Sequence, residues 1–410
     1  MSFDSFDLHP QIVAGVKALG YAAPTPIQCR AIPAILQGQD VLGLAQTGTG
    51  KTAAFVVPIL QRLVKARRGC IQALVVAPTR ELSDQINAAF ESLGRQMHLR
   101  SLPLYGGVPI APQVRKLRSG VEIVVACPGR LLDHIRQGTI RLSSLEFIVL
   151  DEADRMLDMG FLPDIREILK HVPTVRQRLM FGATMPDEIR RLAEDVLRAP
   201  AMLQVDSPAP AATVAQAVYP VPPHLKTALL LQLLRHTETA SVLIFTRTKH
   251  RAQRLGLQIG RAGYQTTSLQ GNLSQNQRQA AIRGFRDGSY RVLVATDIAA
   301  RGIDVSRISH VINYDMPDTT DAYTHRIGRT GRAEKTGDAF SLVTHEDEDM
   351  VRSIENLLGT RLERRRLSGF DYQKPAIGEK GKVGPARRQA AHGRPRGERG
   401  FHERTFKAAS

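Results

Sequence analysis

The chain has 410 residues, 42% hydrophobic and 23% charged, the proportions of a globular protein long enough for two core-forming domains. Its 56 Lys and Arg against 39 Asp and Glu leave a net charge of +17, which favours anionic partners, chiefly nucleic acid or an acidic membrane surface. No apolar run approaches the ~18 residues of a membrane span, the acidic start "MSFDSFDLHP" lacks the marks of a signal peptide, and Cys29, Cys70 and Cys127 lie too far apart for a zinc site or a disulfide framework, so a soluble cytoplasmic protein with no membrane partner is expected.

In chain order, "DVLGLA" (40–45), "QALVVA" (72–77), "EIVVA" (122–126), "EFIVL" (146–150) and "RLMFG" (178–182) read as buried strands alternating with helix-compatible stretches. The alternation stops at "DSPAPAAT" (206–213), a linker by its Pro and Ala content, and resumes with "SVLIFT" (241–246), "YQTTSL" (264–269), "YRVLVAT" (290–296), "HVINYD" (310–315) and "AFSLV" (339–343). The fold class is α/β: two tandem doubly wound parallel-sheet domains, 1–205 and 214–360, without an obvious sequence repeat. Residues 361–410 carry 14 Lys and Arg against 5 Asp and Glu with few large apolar residues, so a disordered basic tail that touches nucleic acid non-specifically is expected.

"AQTGTGKT" (45–52) closes the first strand and opens a helix with the spacing of a phosphate loop, Ala45 replacing the usual first Gly. Gly48 and Gly50 let backbone N–H groups converge on phosphate, Lys51 reaches the outer phosphates, and the Thr52 hydroxyl ligates Mg²⁺, all at the positive end of the helix. "LEFIVLDEADRML" supplies the complementary carboxylates at a strand's C-terminal end: Asp151 for Mg²⁺ and Glu152 to orient or deprotonate the attacking water. "THRIGRTGR" (324–332) brings Arg326, Arg329 and Arg332 at three-residue spacing. If Arg329 and Arg332 face the γ-phosphoryl group, hydrolysis requires the two domains to close on one nucleotide.

With these motifs in place, the chain resembles the DEAD-box ATP-dependent RNA helicases over about residues 3–345, and most resembles their bacterial RhlE-type branch. The supporting segments run in family order: "GYAAPTPIQ" (20–28), the phosphate loop, "PTREL" (78–82), "GG" (106–107), "CPGR" (127–130), "DEAD" (151–154), "GAT" (182–184), "LIFTRTK" (243–249), "QGNLSQNQR" (270–278), "ATDIAARGIDV" (295–305) and "HRIGRTGR" (325–332). The resemblance implies RNA-stimulated ATP hydrolysis, with ATP and Mg²⁺ as cofactors and local, non-processive duplex opening. Gln28 would read the adenine edge, donating and accepting at once, while Phe3 stacks on the base. Tyr21, Thr47 and Thr49 would join the nucleotide set, and Gly302 and Asp304 would meet the ribose.

RNA would be held through its backbone, without sequence preference, by Thr79, Arg80, Gly106, Gly107, Gly129 and Arg130 in the first domain and Arg247, Arg278, Thr296 and Asp297 in the second, on a face away from the ATP. Gly182, Thr184 and His325 would couple the nucleotide to domain closure. Two departures from the family pattern are Cys127 for Thr, which loses a hydroxyl, and Gly182 for Ser. An ATP-gated RNA clamp with little unwinding would carry the same motifs, and a DNA translocase would share the tandem domains. A GTPase is disfavoured by the lack of an Asn-Lys-x-Asp segment. The resemblance names no protein partner, ribosomal or RNA-decay, and no particular RNA.

Overall fold

Strands form where short apolar runs can be buried on both faces. In the computed structural model, which describes residues 2–46, 48–65, 67–173, 177–205, 214–236, 241–300, 308–330 and 337–375, all ten expected strands are present. In the first half they are β1 (Val41–Leu44), β2 (Ala73–Val76), β3 (Ser101–Leu104), β4 (Ile123–Ala126), β5 (Phe147–Leu150), β6 (Gln177–Gly182) and β7 (Ala201–Gln204), paired in parallel in the order β3-β4-β2-β5-β6-β1-β7. The two unexpected members, β3 and β7, are the sheet's edges. Burial alternates along both, and β3 contains Pro103, a residue a central strand rarely tolerates.

The second half repeats the arrangement: β8 (Val214–Pro220), β9 (Val242–Phe245), β10 (Thr266–Leu269), β11 (Val292–Ala295), β12 (His310–Asn313), β13 (Gly337–Val343) and β14 (Glu363–Arg364) lie in the order β10-β11-β9-β12-β13-β8-β14. Subtracting seven from each number reproduces the first sheet, so the two domains share one topology although their sequences do not visibly repeat. This corrects the start of the tail. Glu363–Arg364 is the second sheet's counterpart of β7 and pairs with β8; Leu362 is buried, and Leu367, Phe370 and Tyr372 pack on the second core. Four apolar residues spaced through a basic segment are enough to hold about a dozen residues down. The linker at 206–213 and the chain from 376 onward lie outside the described residues.

Each sheet is sandwiched between its own helices, and among the described residues no apolar cluster mixes residues of the two halves. Side chains of β2, β4 and β5 are almost fully buried, as strands covered by helices on both faces require. Polar contacts join the halves between helix Arg80–Leu93 and helix Gln275–Asp287. There Arg278 pairs with Glu81 at 2.7 Å, Gln279 donates to Asp84 at 3.0 Å, and Arg80 donates to Gln275 at 3.3 Å. Among the described residues no helix is long and apolar enough to cross a membrane.

Candidate nucleotide and RNA site

Strand order positions the chemistry. The phosphate loop follows β1, the "DEAD" segment follows β5, and β6, ending at Gly182, lies between them: Leu44 pairs with Gly182, and Leu150 with Met180. Ligands of open α/β sheets bind beyond these carboxyl ends. Gly48 (φ 88°) and Gly50 (φ 89°) take the left-handed backbone that opens helix Lys51–Leu63. A Cβ on Gly50 would also collide with Gln28 Nε2.

Lys51 is buried, and its Nζ donates to the Ala45 carbonyl. Burial lowers its pKa, while Asp151 and Glu152 act to raise it. Asp151 and Glu152 are 2% and 5% exposed. Burial, then the Glu152 charge, pushes Asp151 up to about 7. Two desolvated carboxylates side by side form a site that gains from a cation. Glu152 stands at φ 51°, a left-handed conformation strained for a non-glycine residue, with its N–H donating to Asp151 Oδ1 at 3.0 Å. Its Oε2 accepts from Arg155 Nη1 at 2.8 Å.

These groups line a cleft of about 540 Å³ with Tyr21, Gln28, Gly48, Gly50 and Thr52, and one further residue, Arg329, comes from the other domain. The cleft has glycine backbone, a buried lysine, a hydroxyl and paired carboxylates, so it suits a nucleoside triphosphate with Mg²⁺ held through one or two protein oxygens and the phosphates. Arg329 lines a second cleft as well, of about 460 Å³, with Arg155 of the first domain and Arg247, Thr296, Asp297 and His325 of the second. Burial, then the Arg155 charge, pushes His325 down to about 4, so it is neutral at neutral pH.

Asp154 joins "DEAD" to the end of β6. Its Oδ2 accepts from Ala183 N–H (3.0 Å), Thr184 N–H (2.9 Å) and the Thr184 hydroxyl (3.1 Å). Burial acts to raise its pKa, but the Thr184 N–H, Lys51 and Ala183 N–H outweigh it and hold the carboxyl below its ordinary range. At Gly182 a Cβ would lie 3.3 Å from Asp154 Oδ1, so a serine would fit with slight adjustment.

Several expected ligands are otherwise engaged. Gln28 Nε2 donates to the Gly50 carbonyl (3.1 Å), and its Oε1 accepts from Thr25 N–H (3.0 Å) in a capping box, so its amide ties helix Pro26–Leu36 to the phosphate loop. Phe3 is 5% exposed and stacks on Tyr21 with ring centres 6.3 Å apart; Tyr21 lines the cleft and Phe3 does not. The ring that reaches the cleft is therefore Tyr21, because Phe3 is drawn into the core beside Phe6. Arg326 does not face the nucleotide: it is 2% exposed and grips Asp297 with two bonds of 2.6 Å, which also fixes that expected RNA ligand. Arg278 is spent on Glu81 and corrects its expected role as an RNA ligand: at 9% exposure it joins the domains.

The remaining RNA candidates share one half of each sheet edge. Thr79 and Arg80 follow β2, Gly106 and Gly107 follow β3, and Gly129 and Arg130 follow β4, the adjacent strands β3-β4-β2. Arg247 follows β9, and Thr296 and Asp297 follow β11, the equivalent half of the second sheet. The candidates expected on a face away from ATP thus lie on the neighbouring half of the same edge. The Arg80 guanidinium lies over Gly107 (φ 75°), where a Cβ would collide with it. Arg130 Nη2 donates to the Val108 carbonyl (3.1 Å), while Nε and Nη1 are buried without a hydrogen-bond partner, Nε lying 3.4 Å from Asp133. Cys127 stands at the N-cap position of helix Pro128–Arg136 without a side-chain capping bond, its Sγ 3.5 Å from Ser83 Oγ. Thr47, Gly302, Asp304 and Arg332 lie outside the described residues. The sequence reading missed Glu81, Asp84 and Arg155. Only Arg155, three residues after Glu152 on a helix start, carried a readable pairing signal.

A tandem pair of RecA-like domains with a cleft suited to a triphosphate in one, reached by an arginine from the other, defines a two-domain P-loop nucleoside triphosphatase. Residues 25–192 match the DEAD/DEAH box helicase family and residues 225–334 the helicase conserved C-terminal domain. The chain is 42% identical over 371 residues to the DEAD-box ATP-dependent RNA helicase CshA of Geobacillus kaustophilus, covering 90% of this chain and 79% of that one. It is 41% identical over 372 residues to CshA of Bacillus subtilis, covering 90% and 75%. Among solved structures it resembles S. cerevisiae Dbp5 bound to RNA and ADP BeF3 (TM-score 0.78, 29% identity, 89% and 95% of the chains). It also resembles a DEAD box protein of Methanococcus jannaschii (TM-score 0.53, 35% identity, 89% and 99%). The chain belongs to the DEAD-box ATP-dependent RNA helicases. It is an ATP-hydrolysing enzyme that uses ATP with Mg²⁺ and binds RNA.

Proposed function

We propose that ATP hydrolysis here runs in a composite site that forms when domain 1–205 and domain 214–360, extended by the packed segment to 372, close on one nucleotide and one RNA strand. The observation that carries this is Arg329, which lines the same cleft as Lys51, Thr52, Asp151 and Glu152 from the other side. Thr52 and Asp151 would hold Mg²⁺, which neutralises charge on the phosphates. Lys51 and the N–H groups of Gly48–Gly50 bind and orient the triphosphate, Glu152 positions the attacking water, and Arg329 meets the charge that develops on the transferred phosphoryl group. For Glu152 to reach water, Arg155 must give up its 2.8 Å bond.

Tyr21 and Gln28 bound the base end of the cleft. Reading of adenine by Gln28 requires its bonds to Gly50 and Thr25 to rearrange or to be shared. Backbone-only RNA binding is supported by loops carrying glycine, threonine and arginine. Arg329 lining the first domain's cleft and the Arg278–Glu81 pair between the halves support reading this conformation as the closed clamp. Closure bends one strand and opens a short duplex locally, and hydrolysis releases it. The relatives compared are CshA proteins, which lends no support to the RhlE-type branch. A cytoplasmic location fits an RNA substrate and three free cysteines.

ATPase rates with RNA, with matched DNA and without nucleic acid test this reading, together with strand displacement on a short RNA duplex. RNA should stimulate far more than DNA; equal stimulation would exclude RNA-specific closure, and stimulation without displacement would indicate a clamp that scarcely unwinds.

Two smaller effects are expected. Gly182→Ser adds a hydroxyl beside Asp154, a hydrogen bond of about 0.5–1.5 kcal/mol, or ~3 with the charge. It should raise duplex opened per ATP more than it raises ATPase, and an unchanged ratio would mean coupling runs through Thr184 alone. Truncation after residue 375 removes nine Lys and Arg and three Glu. It should weaken RNA binding and lower the salt slope by about 0.7 for each phosphate that the tail had neutralised, with basal ATPase nearly constant. A slope equal to that of the full chain would make the tail a spectator.

A further inference from the structure

A basic cleft lies at the opposite edge of the first sheet, and no role above uses it. Residues 67–71 lead into β2, residues 117–121 into β4 and residues 137–144 into β5. The cleft therefore opens at the strand starts, whereas Lys51, Thr79, Arg130 and Asp151 stand at strand ends. Its volume is about 680 Å³, and Arg67, Arg68, Arg118 and Arg141 line it, all exposed. The described lining includes no Asp or Glu and no aromatic ring. Among the described residues none of these four arginines has an ion-pair partner; Arg68 Nη2 donates to the Met97 carbonyl at 2.9 Å.

The floor is built rather than incidental. Each loop turns on a left-handed glycine: Gly69 (φ 78°), Gly120 (φ 83°) and Gly138 (φ 61°). A Cβ on Gly120 would come within 2.8 Å of Gly69 Cα, so two of the loops meet backbone to backbone. Beneath them the fully buried Glu122 accepts from Gly69 N–H at 2.6 Å and from Arg100 N–H at 2.8 Å, with the Arg100 guanidinium 3.5 Å away to meet its charge. Glu122 pins the loops, and its charge is met within the fold, so the four arginines are left to an outside anion.

We propose that this cleft is a second RNA site, which holds the phosphodiester backbone of a segment flanking the one gripped at the domain interface. Four exposed cations without carboxylates suit a polyanion, and the absence of aromatic rings suits phosphates rather than stacked bases. The enzyme already acts on such a polyanion. β2, β4 and β5 have four residues each, ~13 Å at ~3.3 Å per residue, so a strand leaving the interface can reach this edge if it extends past the loops. A short RNA that only fills the interface cannot.

The test uses the full chain carrying Arg67→Glu and Arg141→Glu, with RNAs of about 10 and about 40 nucleotides titrated at several salt concentrations. Long-RNA affinity should fall at least about tenfold, and its salt slope by ~0.7 for each phosphate no longer neutralised. Affinity for the short RNA and the ATPase it stimulates should stay as in the unaltered chain. Arg67→Lys with Arg141→Lys should retain most long-RNA binding. Unchanged long-RNA affinity and slope would overturn the proposal, as would equal losses for both RNAs. Polyglutamate binding that the Glu variant abolishes, with long-RNA binding unaffected, would assign the cleft to an acidic polypeptide instead.

Discussion

Glu152→Gln is expected to lower RNA-stimulated ATP turnover by about two to four orders of magnitude, the usual contribution of a general base or water-orienting carboxylate. Nucleotide binding should change little, because Lys51, Thr52, Asp151 and the phosphate loop are untouched. The substitution removes a buried negative charge beside Asp151, and that charge is the second cause, after burial, of Asp151's raised pKa. Metal binding therefore need not suffer. Gln keeps an amide oxygen to accept from Arg155 Nη1, so the 2.8 Å contact can persist as a neutral-acceptor bond. The consequence for RNA is the more telling one. If hydrolysis reopens the clamp, a variant that binds ATP but cannot cleave it should remain locked on RNA, with slow dissociation in ATP and fast dissociation in ADP. Filter-binding off-rates in the two nucleotides measure this directly. Rapid release in ATP with hydrolysis stopped would separate RNA grip from nucleotide state and sink the clamp.

The sequence made the sheets legible wherever strands are buried on both faces. "QALVVA", "EIVVA" and "EFIVL" can be little else, whereas the edge strands β3 and β7 mix polar and apolar residues at partial exposure, β14 is two exposed charged residues, and the inner strand β8, with Gln216 and a terminal Pro220, was missed as well. The repeated strand order was invisible for a related reason: topology is carried by connection and burial, not by residue identity. At the site, motif residues fixed which side chains gather but not how each spends its hydrogen bonds. Nothing in "THRIGRTGR" says that Arg326 turns inward to Asp297 while Arg329 turns outward to the cleft. That choice depends on Asn313 and Asp315, whose side-chain and backbone oxygens complete the Arg326 cage at 3.1 and 2.7 Å. Likewise "QGNLSQNQR" does not reveal that Arg278 meets Glu81, since the pairing spans two domains.

Arg329→Ala should have an effect as large as that of Glu152→Gln, by a different route. An arginine that stabilises the transferred phosphoryl charge contributes ~10³–10⁵ in rate, about 4–7 kcal/mol of barrier at 1.36 kcal/mol per tenfold. Arg329 reaches the cleft only as part of the second domain, whose apolar clusters are separate from those of the first. The isolated fragment 1–205 retains its own sheet and core, so it should fold, bind nucleotide weakly and hydrolyse it at a negligible rate. Arg329→Ala in the full chain should resemble that fragment in turnover while still binding RNA, because the cross-domain contacts of Arg278 with Glu81 and Gln279 with Asp84 remain. Arg329→Lys separates the two contributions of the side chain. It keeps a positive charge but loses the planar fork that can bond two phosphoryl oxygens, so it should recover only a small part of the missing rate. Full recovery by lysine would reduce the arginine to a point charge. A fragment 1–205 that turns over ATP as fast as the full chain would remove Arg329 from the chemistry altogether and leave domain closure with a role in RNA binding alone.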